Sequence, residues 1–135
     1  MEQNQPQNAP AVLVAEDEPL IRMVVADVIA EAGFAVYEAG DADEAVRLLQ
    51  LHGDICILVT DVNMPGSMDG LALAHNVRAR WPEVKIIVTT GRTKLGERDL
   101  PHGGVFLGKP YSLRHLLGAI SDMTAPESDA DDCAE

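Results

Sequence analysis

One stretch limits the possible folds more than any other: ICILVTDVNMPG, residues 55 to 66. Ile55, Cys56, Ile57, Leu58 and Val59 run without a charge and stop at Thr60-Asp61. A run this short and this rich in β-branched residues predicts a strand buried on both faces, the habit of parallel sheets. Asp61 then stands where the strand leaves the core. Ligands of open α/β sheets bind outside the carboxyl ends of the strands, so a carboxylate at that place is positioned for chemistry. Asp also starts ordinary turns, and this stretch alone leaves both readings open.

The flanking sequence repeats the theme. Ala11 to Ala15 (AVLVA) predicts a first strand, ending at Glu16-Asp17-Glu18-Pro19. Pro19 suits the first turn of a helix, where its missing N–H costs nothing. Leu20, Ile21, Val24, Val25, Val28, Ile29 and Ala32 follow at helical spacing and predict one broad apolar face, with Gly33 as the C-terminal cap. Phe34 to Glu38 predicts a second strand. Asp41 and Glu44 form a capping-box-like pair opening a helix with Ala45, Val46, Leu48 and Leu49 inward, ending near Gly53. After the central strand, residues 61 to 69 predict a loop, and residues 70 to 80 a helix with Leu71, Ala74 and Val77 on its apolar side, ended by Pro82. Lys85 to Thr90 and Gly104 to Leu107 predict strands four and five. The polar residues 92 to 102 between them predict a helix that is short or disordered. Ser112 caps a last helix with Leu113, Leu116, Leu117 and Ile120 inward. Strands and helices alternate, which predicts a doubly wound α/β domain with helices on both faces of a five-stranded parallel sheet.

Charge narrows the function. The chain of 135 residues carries a net charge of -12, and six acids with no base fall in residues 122–135. That balance argues against nucleic acid or an anionic membrane as direct partners, and suits metal cations or a basic protein surface. Residues 1–10, rich in Gln, Asn and Pro, and the acidic residues 122–135 predict disordered tails around one domain over residues 11–121. Cys56 falls in the central strand as a small hydrophobe, and Cys133 in the acidic tail as an exposed thiol. No signal peptide or membrane-length apolar run is present, so the cytoplasm is the expected location. His52, His75, His102 and His115 lack metal-ligand spacing, and Trp81 is expected to cover a helix end.

The polar residues of interest cluster at strand ends: Glu16-Asp17 after strand one, Asp61 after three, Thr90 after four, Lys109 after five. Right-handed crossovers bring the carboxyl ends of parallel strands to one rim. Three carboxylates meeting there would repel, and a divalent cation such as Mg²⁺, with its preference for hard oxygen ligands, resolves the conflict. Lys109 adds a mobile positive charge and Thr90 a hydroxyl donor. A carboxylate nucleophile surrounded by such groups is equipped for phosphoryl transfer.

Glu16-Asp17, Asp61 followed by Met64-Pro65, Thr90-Gly91 and Lys109-Pro110, in this order, resemble the receiver domain of two-component response regulators, over roughly residues 11 to 121. The resemblance implies a flavodoxin-like sheet of order 2-1-3-4-5. It implies that Asp61 is the phosphoacceptor, fed by a sensor histidine kinase or phosphotransfer protein. It implies Mg²⁺ held by Asp17 and Asp61 directly, by Glu16 through water, and by the backbone carbonyl of Asn63. Thr90 would be the switch hydroxyl, chosen over Thr89 because small Gly91 follows it. Phe106 would be the aromatic switch, and Lys109-Pro110 a cis peptide. The family's usual MPGMDG reads MPGSMDG here, one residue longer between Gly66 and Gly70. With no further domain after the last helix, the expectation is a stand-alone receiver that acts through a protein-binding surface or as a phosphate sink.

Other functions fit less of the chain. A Mg²⁺-dependent phosphohydrolase with an aspartyl-phosphate intermediate typically has a second acid two residues after the nucleophile, where this chain has Asn63. Flavin binding needs a phosphate cradle, and AEDEPL offers only anions. A degenerate receiver that binds a partner without being phosphorylated would not require the acids, Thr90 and Lys109 that are present.

Overall fold

The computed structural model describes residues 10–62, 68–90, 104–108 and 112–124, excluding the side chains of Thr90 and Phe106. Within them the elements run β1 (Ala11–Ala15), α1 (Pro19–Glu31), β2 (Ala35–Ala39), α2 (Ala42–Leu51), β3 (Ile55–Asp61), α3 (Gly70–Arg80), β4 (Lys85–Thr90), β5 (Val105–Gly108) and α4 (Leu113–Thr124). The five strands are parallel, in the order β2-β1-β3-β4-β5. The order reverses on the two sides of β1 and β3, which opens a crevice at their carboxyl ends.

Alternation along each strand divides the core in two. Leu13, Leu58, Ile86 and Val88 face Ala45, Leu49, Leu73, Ala74 and Val77 of α2 and α3. Val12, Val14, Ile57, Val59 and Ile87 face Val25, Ile29, Leu116 and Ile120 of α1 and α4. β1 is buried over all five residues and β3 over all but Cys56, as a doubly covered central strand must be. The β1–β3 register slips at Cys56: Ala11 pairs with Ile55 and Val12 with Ile57. The half-buried Cys56 thiol donates to the Ala11 carbonyl at 3.5 Å, and burial pushes its pKa up.

Local chemistry sets the helix ends. Asp41 accepts from the Glu44 N–H at 2.8 Å, and the Glu44 carboxylate accepts from the Gly40 N–H at 2.8 Å. This is the expected reciprocal pair, with the second bond one residue earlier than in the usual capping box. Asp69 caps α3 through the Ala72 N–H at 2.9 Å, and Ser112 caps α4 through the His115 N–H at 3.0 Å. Pro19 opens α1, and Gly33 follows its C-terminal end at φ +104°, a left-handed conformation that glycine adopts without a Cβ penalty. Trp81 ends α3, donating to the Val77 carbonyl, with the Arg80 guanidinium 4.6 Å from its ring.

The broad apolar face expected of α1 is corrected. Val25, Ala26 and Ile29 are buried, but Leu20 is 66% exposed, and Ile21, Met23 and Val24 are exposed too. A helix laid on a sheet buries only a stripe, and Leu20, Ile21, Met23 and Val24 lie outside that stripe. Leu20, Ile21, Val24 and Val25 instead form, with Leu113 of α4, an open apolar groove of about 350 Å³.

α4 continues through Asp122, Met123 and Thr124, the first residues of the acidic segment, and the Lys85 ammonium donates to the Met123 carbonyl at 3.2 Å. Pro10 is tied to β2, its carbonyl accepting from the Ala35 N–H at 3.0 Å. The helix expected over residues 92–102, most of both tails, Cys133 and His102 lie outside the described residues. His75 and His115 are exposed, whereas His52 stacks on the Tyr37 ring with centroids 4.3 Å apart. Among the described residues no helix is long and apolar enough to cross a membrane.

Candidate metal centre at the carboxyl ends of the strands

The register decides which residues reach the rim together. Ala15 pairs with Thr60, so Glu16 follows β1 beside Asp61, the last residue of β3. Asp61 in turn pairs with Thr89 of β4, and the Val62 N–H donates to the Thr89 carbonyl at 2.9 Å. Thr89 is buried at the level of Asp61. Thr90 lies one residue nearer the rim, and its backbone pairs with Gly108, the residue before Lys109.

Carboxylate oxygens of Glu16, Asp17 and Asp61 lie within 4.8 Å of one another. Glu16 and Asp61 are 7% and 6% exposed, while Asp17 opens to solvent. Anionic oxygens gathered so closely repel one another in the absence of a countercharge. Hard, closely set oxygen donors with one side open to water match the habit of Mg²⁺, which binds through one or two carboxylates and keeps several waters.

The loop carrying two of these acids is held at several points. The Glu16 N–H donates to the Ala39 carbonyl at the end of β2, at 3.0 Å. The Glu16 carboxylate accepts from the Glu18 N–H at 3.0 Å. The Glu16 carbonyl accepts from Nη1 of Arg22, one turn into α1, at 2.9 Å. Arg22 Nε also donates to Glu38 at 3.3 Å.

The end of β3 is held from within the strand and from α3. The Thr60 hydroxyl donates to the Asp61 carbonyl at 3.1 Å, and the Gly70 N–H donates to the Val62 carbonyl at 2.8 Å. A Cβ on Gly70 would overlap the Asp61 carbonyl oxygen and stand 2.6 Å from its carbon. Only glycine admits the helix this close.

Glu16, Asp17 and Asp61 are thus brought together. The Thr90 and Phe106 backbones lie in β4 and β5, Phe106 opposite Val88. Asn63 and the Lys109-Pro110 pair lie outside the described residues. Arg22 carried no sequence signal and Gly70 entered only as the last residue of MPGSMDG, because each acts through a contact made only in the folded chain.

Residues 12–121 match the response regulator receiver domain family. The transcriptional regulatory protein PdtaR of Mycobacterium tuberculosis is 38% identical over 112 residues, covering 81% of this chain, which spans 54% of that relative's length. The response regulator receiver protein CpdR of Brucella abortus is 31% identical over 115 residues, covering 83% of this chain and 94% of CpdR. Among solved structures, response regulator protein TrrA from Thermotoga maritima, in complex with Mg²⁺-BeF, superposes with a TM-score of 0.73. It shares 23% identity, with 84% of this chain and 98% of TrrA covered, and at that identity the likeness speaks for the fold. A parallel sheet of order 2-1-3-4-5, three acids converging at its carboxyl rim and a family match over nearly the whole described chain agree: the protein belongs to the response regulator receiver domains, the signalling modules of two-component systems.

Proposed function

We propose that this receiver takes a phosphoryl group from a phosphohistidine, on a sensor histidine kinase or phosphotransfer protein, onto the carboxylate of Asp61. The convergence of Glu16, Asp17 and Asp61 within 4.8 Å carries the reading. A Asp61 Oδ atom attacks phosphorus, the P–N bond breaks, and the imidazole nitrogen keeps the electron pair. Burial of Asp61 restricts its side chain and so orients the attacking oxygen.

Mg²⁺, when bound, offsets negative charge on the phosphoryl oxygens. Asp17 and Asp61 would hold it directly, Glu16 through water, and the Asn63 carbonyl would complete the set. The fit rests on the donor chemistry: hard oxygens, closely set, with Asp17 open to solvent. The Lys109 ammonium would pair with a phosphoryl oxygen. The Thr90 hydroxyl would donate to another and carry the change of state to the surface, with Phe106 following. As a receiver, the protein would work in the cytoplasm, signalling through protein contacts or draining phosphate from its kinase.

Acetyl phosphate, with and without Mg²⁺, tests this by intact mass. Wild type should gain one base-labile phosphoryl group only with Mg²⁺, and Asp61→Asn none. A folded wild type that binds Mg²⁺ and takes up no phosphoryl group from acetyl phosphate or a histidine kinase would refute the proposal and favour a phosphate-independent binding module.

A further inference from the structure

We propose that Arg22 is a positioning residue for the metal site, aiming the two acids of the β1–α1 loop by fixing the peptide between them. The inference rests on the Mg²⁺ reading above and adds a residue to it. The carbonyl of Glu16 and the N–H of Asp17 share one planar peptide unit. Holding that carbonyl oxygen sets the plane, and with it the direction in which the Asp17 side chain leaves the backbone. Arg22 Nη1 holds it at 2.9 Å. The preceding peptide plane is set by the Glu16 N–H on the Ala39 carbonyl. Both planes flanking Glu16 are therefore pinned, one from β2 and one from α1.

The path of the guanidinium is built for this contact. Its Nε is steadied by Glu38 of β2 at 3.3 Å, and its Nη1 passes above Gly40. A Cβ at position 40 would stand 3.2 Å from Nη1, tighter than ordinary contact. The lack of a side chain there leaves the guanidinium room to reach the Glu16 carbonyl. An ion pair serving only the surface would need neither the carbonyl bond nor the clearance, and pairs as exposed as Arg22–Glu38 contribute little.

The direction of one effect separates positioning from simple charge. A cation beside the acids repels Mg²⁺, so on charge alone its removal would tighten metal binding. Loss of positioning weakens it, and loss of a group that orients ligands typically lowers metal affinity by about tenfold or more.

Calorimetric titration of the full chain with MgCl₂, without phosphodonor, reads the difference, alongside metal-free thermal unfolding. Arg22→Met keeps the stem and removes the donors, and should weaken Mg²⁺ binding by about tenfold. Arg22→Lys, which keeps a cation and a donor, should recover most of it. Glu38→Gln leaves the carbonyl bond in place and should stay within about twofold of wild type. Gly40→Ala, which crowds the guanidinium without touching the acids, should weaken binding by an intermediate factor and serves as the second variant if Arg22→Met does not fold. Unchanged or tighter Mg²⁺ binding in Arg22→Met, or in Gly40→Ala where that variant stands in, overturns the proposal. So does a drop in metal-free melting temperature with unchanged Mg²⁺ affinity, which is the mark of a purely structural role. A wild type that takes up no Mg²⁺ fails the metal reading itself, and that outcome is visible before any variant is compared.

Discussion

Replacing Gly70 by Ala adds one methyl group at the point where α3 meets the end of β3. That methyl would overlap the Asp61 carbonyl oxygen and lie 2.6 Å from its carbon and 2.9 Å from the Thr60 hydroxyl oxygen. Carbon–carbon contacts settle at about 3.5–4.0 Å, so the start of α3 must retreat by roughly an ångström or more. The retreat strains the Gly70 N–H bond to the Val62 carbonyl and loosens α3, whose Leu73, Ala74 and Val77 are fully buried. Overpacking a tight site costs about 1–3 kcal/mol and a lost hydrogen bond about 1 kcal/mol more. The melting temperature should therefore fall on the order of 10 °C. Gly118→Ala is the internal control: it is exposed in α4, its Cβ would meet nothing within 4 Å, and it should stabilise by about 0.5–1 kcal/mol through helix propensity. Urea and thermal unfolding of both variants give opposite signs for one chemical change. A Gly70→Ala protein within about 2 °C of wild type would refute the close-approach argument.

Three further outcomes are expected. Mg²⁺ at about a hundred times its dissociation constant should stabilise wild type by about 2.7 kcal/mol, and Asp17→Asn should lose most of that gain in a thermal shift assay. The Tyr37 phenol is pushed above its ordinary value of 10.0 by burial first and then by its hydrogen bond to, and the negative charge of, Asp54, at 3.1–3.2 Å. The fold holds this proton more tightly than the unfolded chain does, so the stability it contributes is full below pH 10 and is lost as pH rises through the folded-state value. Urea midpoints across that alkaline range should fall less steeply in Tyr37→Phe, and phenolate absorbance should show Tyr37 ionising at lower pH in Asp54→Asn. Ser112→Ala, which removes the cap of α4, should cost about 1 kcal/mol in urea unfolding.

Elements whose signals are local were legible from the chain. Ala11–Ala15, Gly70–Arg80 and Lys85–Thr90 have the bounds that their apolar spacing and flanking residues indicate. β3 extends past its apolar core to include Thr60 and Asp61, because pairing with β4 continues to Thr89. The meeting of Glu16, Asp17 and Asp61 followed from topology: parallel strands share a rim, and acids at the ends of adjacent strands meet there. The face of α1 is narrower than its spacing indicates, since helical periodicity says which residues align but not how much of the aligned face a neighbouring element covers. The contacts of Arg22 and Gly70 are not legible in the chain for a related reason. An arginine on an amphipathic helix and a glycine after an N-cap are ordinary in sequence, and their roles depend on a carbonyl oxygen supplied by another element. The Tyr37–His52 stack likewise joins two residues fifteen positions apart through the β2–α2 turn-back.

The bond from the Gly70 N–H to the Val62 carbonyl has a consequence for how receivers diversify. It ties Val62 to Gly70, on either side of residues 63–69, and the Val62 N–H is itself tied to Thr89 of β4. Closing a loop costs only about 0.6 kcal/mol for each doubling of its length. The added residue of MPGSMDG therefore costs little in closure entropy, and the Val62–Gly70 bond holds its flanking residues together. Asp61, the last residue of β3, precedes that bond. On this reading, length and sequence after Asn63 and before Gly70 can vary to suit a particular kinase while β3 keeps Asp61 in place, so that one signalling pair can be insulated from another with little retuning of the phosphoryl-transfer step.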